Sequence, residues 1–334
     1  MSENDVTPVP AEGRPAPTPP ATRVVLPDVE REYHQFYRTP YFRWWRPLLA
    51  LVMVFVTCFV ASGVIPLGGL AVTGELDLKE LSQGRLDMNT PTMFLLNNLG
   101  IIAFIPLAWA AHRAVFGQRI GWLSSVAGRF RWHAFWRFVG LSAAILVVMF
   151  AIRIVAEGGL PELKILPETW FLLAAVLLTT PLQCAGEEFA FRGLGMRAIA
   201  SWFPSSRVGL IVAAVVTTGV FMLFHGAGDA WLNADYAVFG LCTAVLVWRT
   251  GGLEGAIALH IANNFLALIL LPFIGTSGLF DRQAGVGSPW QLLNMAALIG
   301  ATALILWQAK RLGLQSRSAP AAQAAATTGE VAPA

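Results

Sequence analysis

This sequence predicts an all-α fold, a polytopic integral membrane bundle of about eight transmembrane helices, and three observations predict it. Only 13% of the 334 residues are charged and 56% are hydrophobic, whereas a soluble domain carries roughly 25% charged residues. The apolar residues gather into eight runs, each close to the roughly 20 residues a helix needs to cross a bilayer. Short loops separate the runs, and their charge alternates in sign.

In chain order, residues 1–32 are rich in Pro, Ala, Glu and Thr. They hold no large apolar cluster to offset the entropy of ordering, and read as a disordered tail. Residues 33–46 (YHQFYRTPYFRWWR) turn aromatic and basic, a mixture suited to headgroup level at a membrane interface. The domain proper is expected over 47–311, with spans near 47–72, 91–115, 134–156, 169–190, 206–225, 234–250, 253–275 and 289–310. Residues 312–334 read as a second disordered tail. The first apolar run begins near Pro47, too far in for a cleavable signal peptide, and is long enough to span. No internal repeat is evident.

The loops give an orientation. The segment before the first span carries Arg23, Arg31, Arg38, Arg43 and Arg46, and the second loop carries Arg113, Arg119, Arg129, Arg131 and Arg137. The first loop is acidic overall, with Glu75, Asp77, Glu80 and Asp87 against Lys79 and Arg85. Basic loops mark the cytoplasmic side, so both termini are expected in the cytoplasm, with the chain in the cell inner membrane. The net charge of +3 is explained by these loops, and no nucleic-acid partner is expected. Cys58, Cys184 and Cys242 lie inside apolar runs without metal-ligand spacing and read as packing residues, Cys184 being one turn before Glu187. His34, His112 and His133 lie near run ends and are expected at the surface.

Ionisable groups within the spans are costly, so each is a functional candidate by default. They concentrate in the second half of the chain. Glu188 and Arg192 are four apart, in the favoured order for a pair on one helix face, and read as a structural ion pair. Glu187 is turned about 100° away from Glu188, from 3.6 residues per turn, and is not explained by that pair. A second carboxylate is expensive in a low dielectric, and one held there suits general-base work. His225 closes a run and on its own reads equally as a packed histidine. His260 and Asn264 are four apart, and on their own could be hydrogen-bonding glue between helices. A carboxylate, two imidazoles and an amide on three spans also make a hydrolytic set, with a base to activate water and donors for an oxyanion.

Three short motifs stand here in order: Glu187-Glu188-x-x-x-Arg192, Phe221-x-x-x-His225 and His260-x-x-x-Asn264. They resemble the CPBP family of intramembrane proteases (CAAX proteases and bacteriocin-processing enzymes, also called Abi), over roughly residues 165–275. The resemblance implies an intramembrane endopeptidase that hydrolyses a peptide bond of a membrane-associated or lipidated peptide or protein. It implies that Glu187 and His225 activate water, that His260 and Asn264 stabilise the oxyanion, and that Glu188 and Arg192 support the site. Compact zinc motifs such as H-E-x-x-H are absent from the sequence, which favours a mechanism without a cofactor. The alternative is a divalent metal such as zinc, held by Glu187, His225 and His260. Two other functions compete: a non-catalytic membrane scaffold or immunity protein, and a proton-coupled transporter. Hydropathy alone puts His225 at the opposite end of its span from Glu187, so a shift in the Gly193–Phe203 stretch is needed for Glu187, His225 and His260 to converge in one cavity.

Overall fold

The computed structural model of the chain describes residues 25–323. It is all-helical apart from one two-residue strand pair. Eight helices are long and apolar enough to cross a membrane: α1 (Trp45–Thr73), α2 (Pro91–Phe116), α3 (Trp132–Ala156), α4 (Thr169–Ser201), α5 (Ser206–His225), α6 (Ala230–Thr250), α7 (Glu254–Ile274) and α8 (Gln291–Arg311). The chain is an integral membrane protein. Seven of the expected spans agree with these helices within a few residues; the fourth runs well past its expected end at 190.

Local chemistry sets the helix ends. Thr90 accepts from the Met93 amide ahead of Pro91, Ser205 caps α5 through the Val208 amide, and Asp229 caps α6 through the amides of Trp231 and Leu232. These side chains satisfy amides that a helix start leaves without partners. Gly226 and Gly251 end α5 and α6 at φ 59° and 70°, a left-handed conformation that glycine adopts without a Cβ clash.

Large apolar side chains point outward on α1 (Val56, Phe59, Val64), α3 (Val147, Val148, Val155), α4 (Leu177, Leu178) and α5 (Ile211, Val215). The centre is different. α7 packs among α3, α4, α6 and α8, and Glu254 to Ala262 are all buried. The second half of α4, Gly186 to Ser201, is buried without a break. The costly ionisable groups therefore lie in protein and not against lipid.

Helix α4 solves the depth problem posed by hydropathy. It does not break at Gly193 or lie flat. It widens into a π-helical stretch over Phe189–Gly195 and continues as α-helix to Ser201. α5 then returns alongside it, with Gly209 against the Ala200 carbonyl. By contrast α7 starts beside Gly193, whose added Cβ would lie 3.3 Å from Leu253. The start of α7 is thus about two turns deeper than the start of α5. That offset is why the end of α5 can reach the level of Glu187.

The two ends of the bundle differ. Loops 74–90, 157–168, 226–229 and 275–290 share one end. At the other, β1 (Arg31–Glu32) pairs antiparallel with β2 (Arg317–Ser318) in the register Arg31↔Ser318 and Glu32↔Arg317. The solvated tails expected over 1–32 and 312–334 therefore give way at these pairs to ordered chain; residues 1–24 and 324–334 lie outside the described residues. Glu32 is the reason: its carboxylate accepts from Ser206, from Trp248 Nε1 at 3.0 Å and from Arg317 Nη2 at 2.9 Å. Burial raises its acidity constant, but these hydrogen bonds outweigh it and hold the group at about 2.

The aromatic segment is also corrected in part. Tyr33, Phe36 and Tyr37 are buried in protein instead of lying in headgroups. They surround Arg197, whose guanidinium lies 4.7, 5.2 and 4.5 Å from their ring centres and donates to the Trp122 carbonyl at 2.7 Å. A buried cation needs such partners. Trp44 stays exposed. His34 and His112, expected at the surface, are fully buried. His112 Nε2 faces the Arg119 carbonyl at 3.2 Å and must donate to it, so its Nδ1 accepts from the Tyr37 hydroxyl at 2.8 Å. His133 is exposed.

Candidate active site

Helix α4 presents Gln183, Glu187, Glu188 and Arg192 on successive turns. Gly186 makes this placement feasible: a Cβ there would lie 2.4 Å from the Ile101 carbonyl oxygen. Only a glycine lets α4 approach α2 so closely beside the two glutamates.

Glu188 and Arg192 pair as their spacing predicts, Nη1 donating to Oε1 at 3.2 Å, with both side chains fully buried. The same Oε1 accepts from His260 Nδ1 at 2.9 Å. Arg192 Nε and Nη2 find no hydrogen-bond partner among the described residues, and its guanidinium rests 4.6 Å from the Phe221 ring centre instead. Phe221, the first residue of the second motif, also carries the His225 ring at 4.3 Å and the His260 ring at 6.4 Å. One aromatic ring thus separates a cation and two imidazoles.

Glu187 points the other way, as the 100° offset predicts. Its Oε1 accepts from Gln183 Nε2 at 2.8 Å. Its Oε2 lies 3.5 Å from His260 Nε2 and has no hydrogen-bond partner among the described residues. Glu187 and His225 both line a cavity of about 960 Å3, together with Gln183, Asn263, Asn264 and Tyr236. His260 stands behind Glu187, 3% exposed, and meets the cavity through it.

His225 Nδ1 lies 2.9 Å from the Phe221 carbonyl. A carbonyl can only accept, so Nδ1 carries the proton and Nε2 is left with its lone pair. The ring is clamped between Phe221 and Tyr236, whose centre is 4.4 Å away. Asn264 Nδ2 donates to Gln183 Oε1 at 3.3 Å, and Asn263 Nδ2 donates to Asn264 Oδ1 at 3.2 Å. Gln183 therefore ties Glu187 on α4 to Asn264 on α7. The sequence reading passed over Gln183, although it stands four residues before Glu187 on the same face. It also passed over Asn263, whose signal is its place beside Asn264, and Tyr236, whose single signal is a polar ring early in a span.

Glu187, His225 and His260 do not fit a metal as they stand. Among the described residues no three His, Cys, Asp or Glu side chains are placed to hold one, and His260 spends Nδ1 on Glu188. Cys184 is buried and directs its thiol to Gln183 Oε1 at 3.5 Å; Cys58 and Cys242 are buried and free.

Comparison with known proteins bears on this half of the chain. The family described as type II CAAX prenyl endopeptidase Rce1-like matches residues 168–266. The uncharacterized protein YyaK of Bacillus subtilis (strain 168) is 24% identical over 256 residues, covering 72% of this chain and 81% of that protein. No solved structure matches. The matched residues run from the start of α4 into α7 and contain both glutamates, Arg192, His225, His260 and Asn264, so that this membrane protein carries a domain of the Rce1-like type II CAAX prenyl endopeptidase (CPBP/Abi) family.

Proposed function

We propose that the chain is an intramembrane endopeptidase that hydrolyses a peptide bond of a membrane-associated or lipidated peptide, with Glu187 as general base. One observation carries this reading. Glu187 Oε2 is a buried carboxylate oxygen without a hydrogen-bond partner among the described residues, on a side chain that shares a cavity wall with His225. A water held by Glu187 Oε2 and the bare Nε2 of His225 would be positioned and polarised.

Glu187 takes a proton from that water as its oxygen bonds to the peptide carbonyl carbon. The carbonyl becomes an oxyanion, for which Asn264 and His260 supply donors. The C–N bond then breaks, Glu187 passes its proton to the leaving nitrogen, and the new acid ionises. Glu188 is a positioning residue: it holds His260 by Nδ1 and is itself held by Arg192. The cavity wall, with Phe94, Met149, Leu266 and Leu270, suits an apolar or lipid-bearing chain.

The test is cleavage of a membrane-peptide panel, farnesylated CAAX peptides included, by wild type and Glu187→Gln, each with and without a strong chelator. Cleavage lost in the variant and kept with chelator is the expected result. Equal cleavage by the variant would remove Glu187 from the mechanism, and loss with chelator alone would make a metal part of it.

A further inference from the structure

We propose that the candidate active site is reached from the non-cytoplasmic side of the membrane, so that its substrate is a peptide segment already carried across the bilayer. Sidedness follows from cavity and charge; that the visitor is a substrate rests on the peptidase reading above.

The cavity that holds Glu187 and His225 is walled toward one end of the bundle by Glu157, Pro161, Leu279 and Trp290. A second cavity of about 800 Å3 shares His225 and Arg282 with it and is lined by loop residues of that same end, among them Met88, Asn89, Gly228 and Gln283. Both spaces therefore belong to the end carrying loops 74–90, 157–168, 226–229 and 275–290. Toward the opposite end the way is closed. Every residue from Phe189 to Ser201 is buried, and below them Arg197 is packed under Tyr33, Phe36 and Tyr37.

The charges of the two ends differ in sign. At the cavity end, loop 74–90 carries Glu75, Asp77, Glu80 and Asp87 against Lys79 and Arg85. Loop 157–168 carries Glu157, Glu162 and Glu168 against Lys164, loop 226–229 adds Asp229, and Asp281 and Arg282 cancel. The closed end carries Arg119, Arg129, Arg207, Arg249, Lys310 and Arg311. Lysine and arginine in short loops stay on the cytoplasmic side. The closed end then faces the cytoplasm and the cavity faces away from it. A lipidated carboxyl terminus made and held in the cytoplasm would meet the sealed end. The reaction that supplies this site is accordingly a translocation step, and cleavage follows export.

Gln283→Cys and Ala127→Cys, both at exposed positions on opposite ends, test this in right-side-out and inverted membrane vesicles with a membrane-impermeant maleimide. Wild type, whose three cysteines are buried, sets the background. Gln283→Cys should label in right-side-out vesicles and Ala127→Cys in inverted ones; the reverse pattern overturns the proposal. Lys79→Cys replaces Gln283→Cys should the latter fail to accumulate. Glu187-dependent cleavage of a membrane-impermeant fluorogenic peptide is then compared in the two orientations. Cleavage by right-side-out vesicles supports outward access, and cleavage by inverted vesicles alone overturns it. Absence of cleavage even in detergent-opened vesicles counts against the peptidase reading, while the labelling still decides the side.

Discussion

Glu188 on α4 and His260 on α7 meet at 2.9 Å, carboxylate Oε1 to imidazole Nδ1, and the same oxygen holds Arg192. This joins the first and third sequence motifs in one buried unit. Removing its cation should be costly. Arg192→Ala leaves Glu188 buried without its counter-charge, a loss of roughly 3–5 kcal/mol, which thermal unfolding in detergent would read as a large fall in midpoint. Glu188→Gln should fold and keep KM while lowering kcat, because it weakens only the hold on His260. Unchanged kcat in that variant would remove Glu188 as a positioning residue.

Gln183 holds Glu187 Oε1 at 2.8 Å and accepts from Asn264. Gln183→Leu should lower kcat about tenfold, the worth of one hydrogen bond to a charged group, with little effect on KM. A steady-state comparison with Gln183→Asn separates lost hydrogen bonding from lost packing. Equal activity in Gln183→Leu and wild type would count against the link.

Arg197 binds the segment Tyr33–Tyr37 to the bundle through three rings and the Trp122 carbonyl. Arg197→Ala should cost about 3 kcal/mol, from cation–π contacts of about 0.5–2 kcal/mol and one charged hydrogen bond. Limited proteolysis should then cut between residues 25 and 44 first. Cleavage that starts instead in loop 74–90 would show that Arg197 does not tie this segment down.

Glu32 supplies a pH-dependent tie at the same end. Its folded value of about 2 lies below the ordinary 4.5, so its contribution is fully present above about pH 4.5 and is lost as pH falls toward 2. Stability of the full chain should decline across that window, and Glu32→Gln should flatten the decline. An equally steep decline in the variant would assign it to other carboxylates.

Gly186→Ala puts a methyl 2.4 Å from the Ile101 carbonyl. Overpacking of this kind costs about 1–3 kcal/mol. Because the glycine adjoins Glu187, activity should fall together with the unfolding midpoint, and a stable, fully active variant would mean that α2 and α4 separate without disturbing the site.

The helices were legible in the sequence because bilayer thickness demands long apolar runs, and Trp45–Thr73 or Gln291–Arg311 can hardly be read otherwise. The Glu188–Arg192 pair was legible because helical spacing alone brings the two together. Two things were not. Pairing across the fold, such as Gln183 with Asn264, leaves no periodic trace. Aromatic and basic residues such as Tyr33 and Tyr37 look alike whether they serve a headgroup layer or a buried guanidinium, and the decisive partner, Arg197, lies some 160 residues away. Hydropathy also fails on depth: it reads each span separately and cannot see that α7 starts beside Gly193 and α5 beyond Ser201.

The π-helical stretch Phe189–Gly195 acts as a phase adjuster between two machines on one shaft. A wide turn takes up about one residue more than an ordinary α-helix. A chain shorter by one residue there would leave Glu187 and Glu188 facing their partners. It would rotate Arg197 by about 100°, out of its aromatic collar. Catalytic register and anchoring register are thus set independently along a single continuous rod, and single-residue deletions scanned through this stretch should detach the collar while sparing the glutamates.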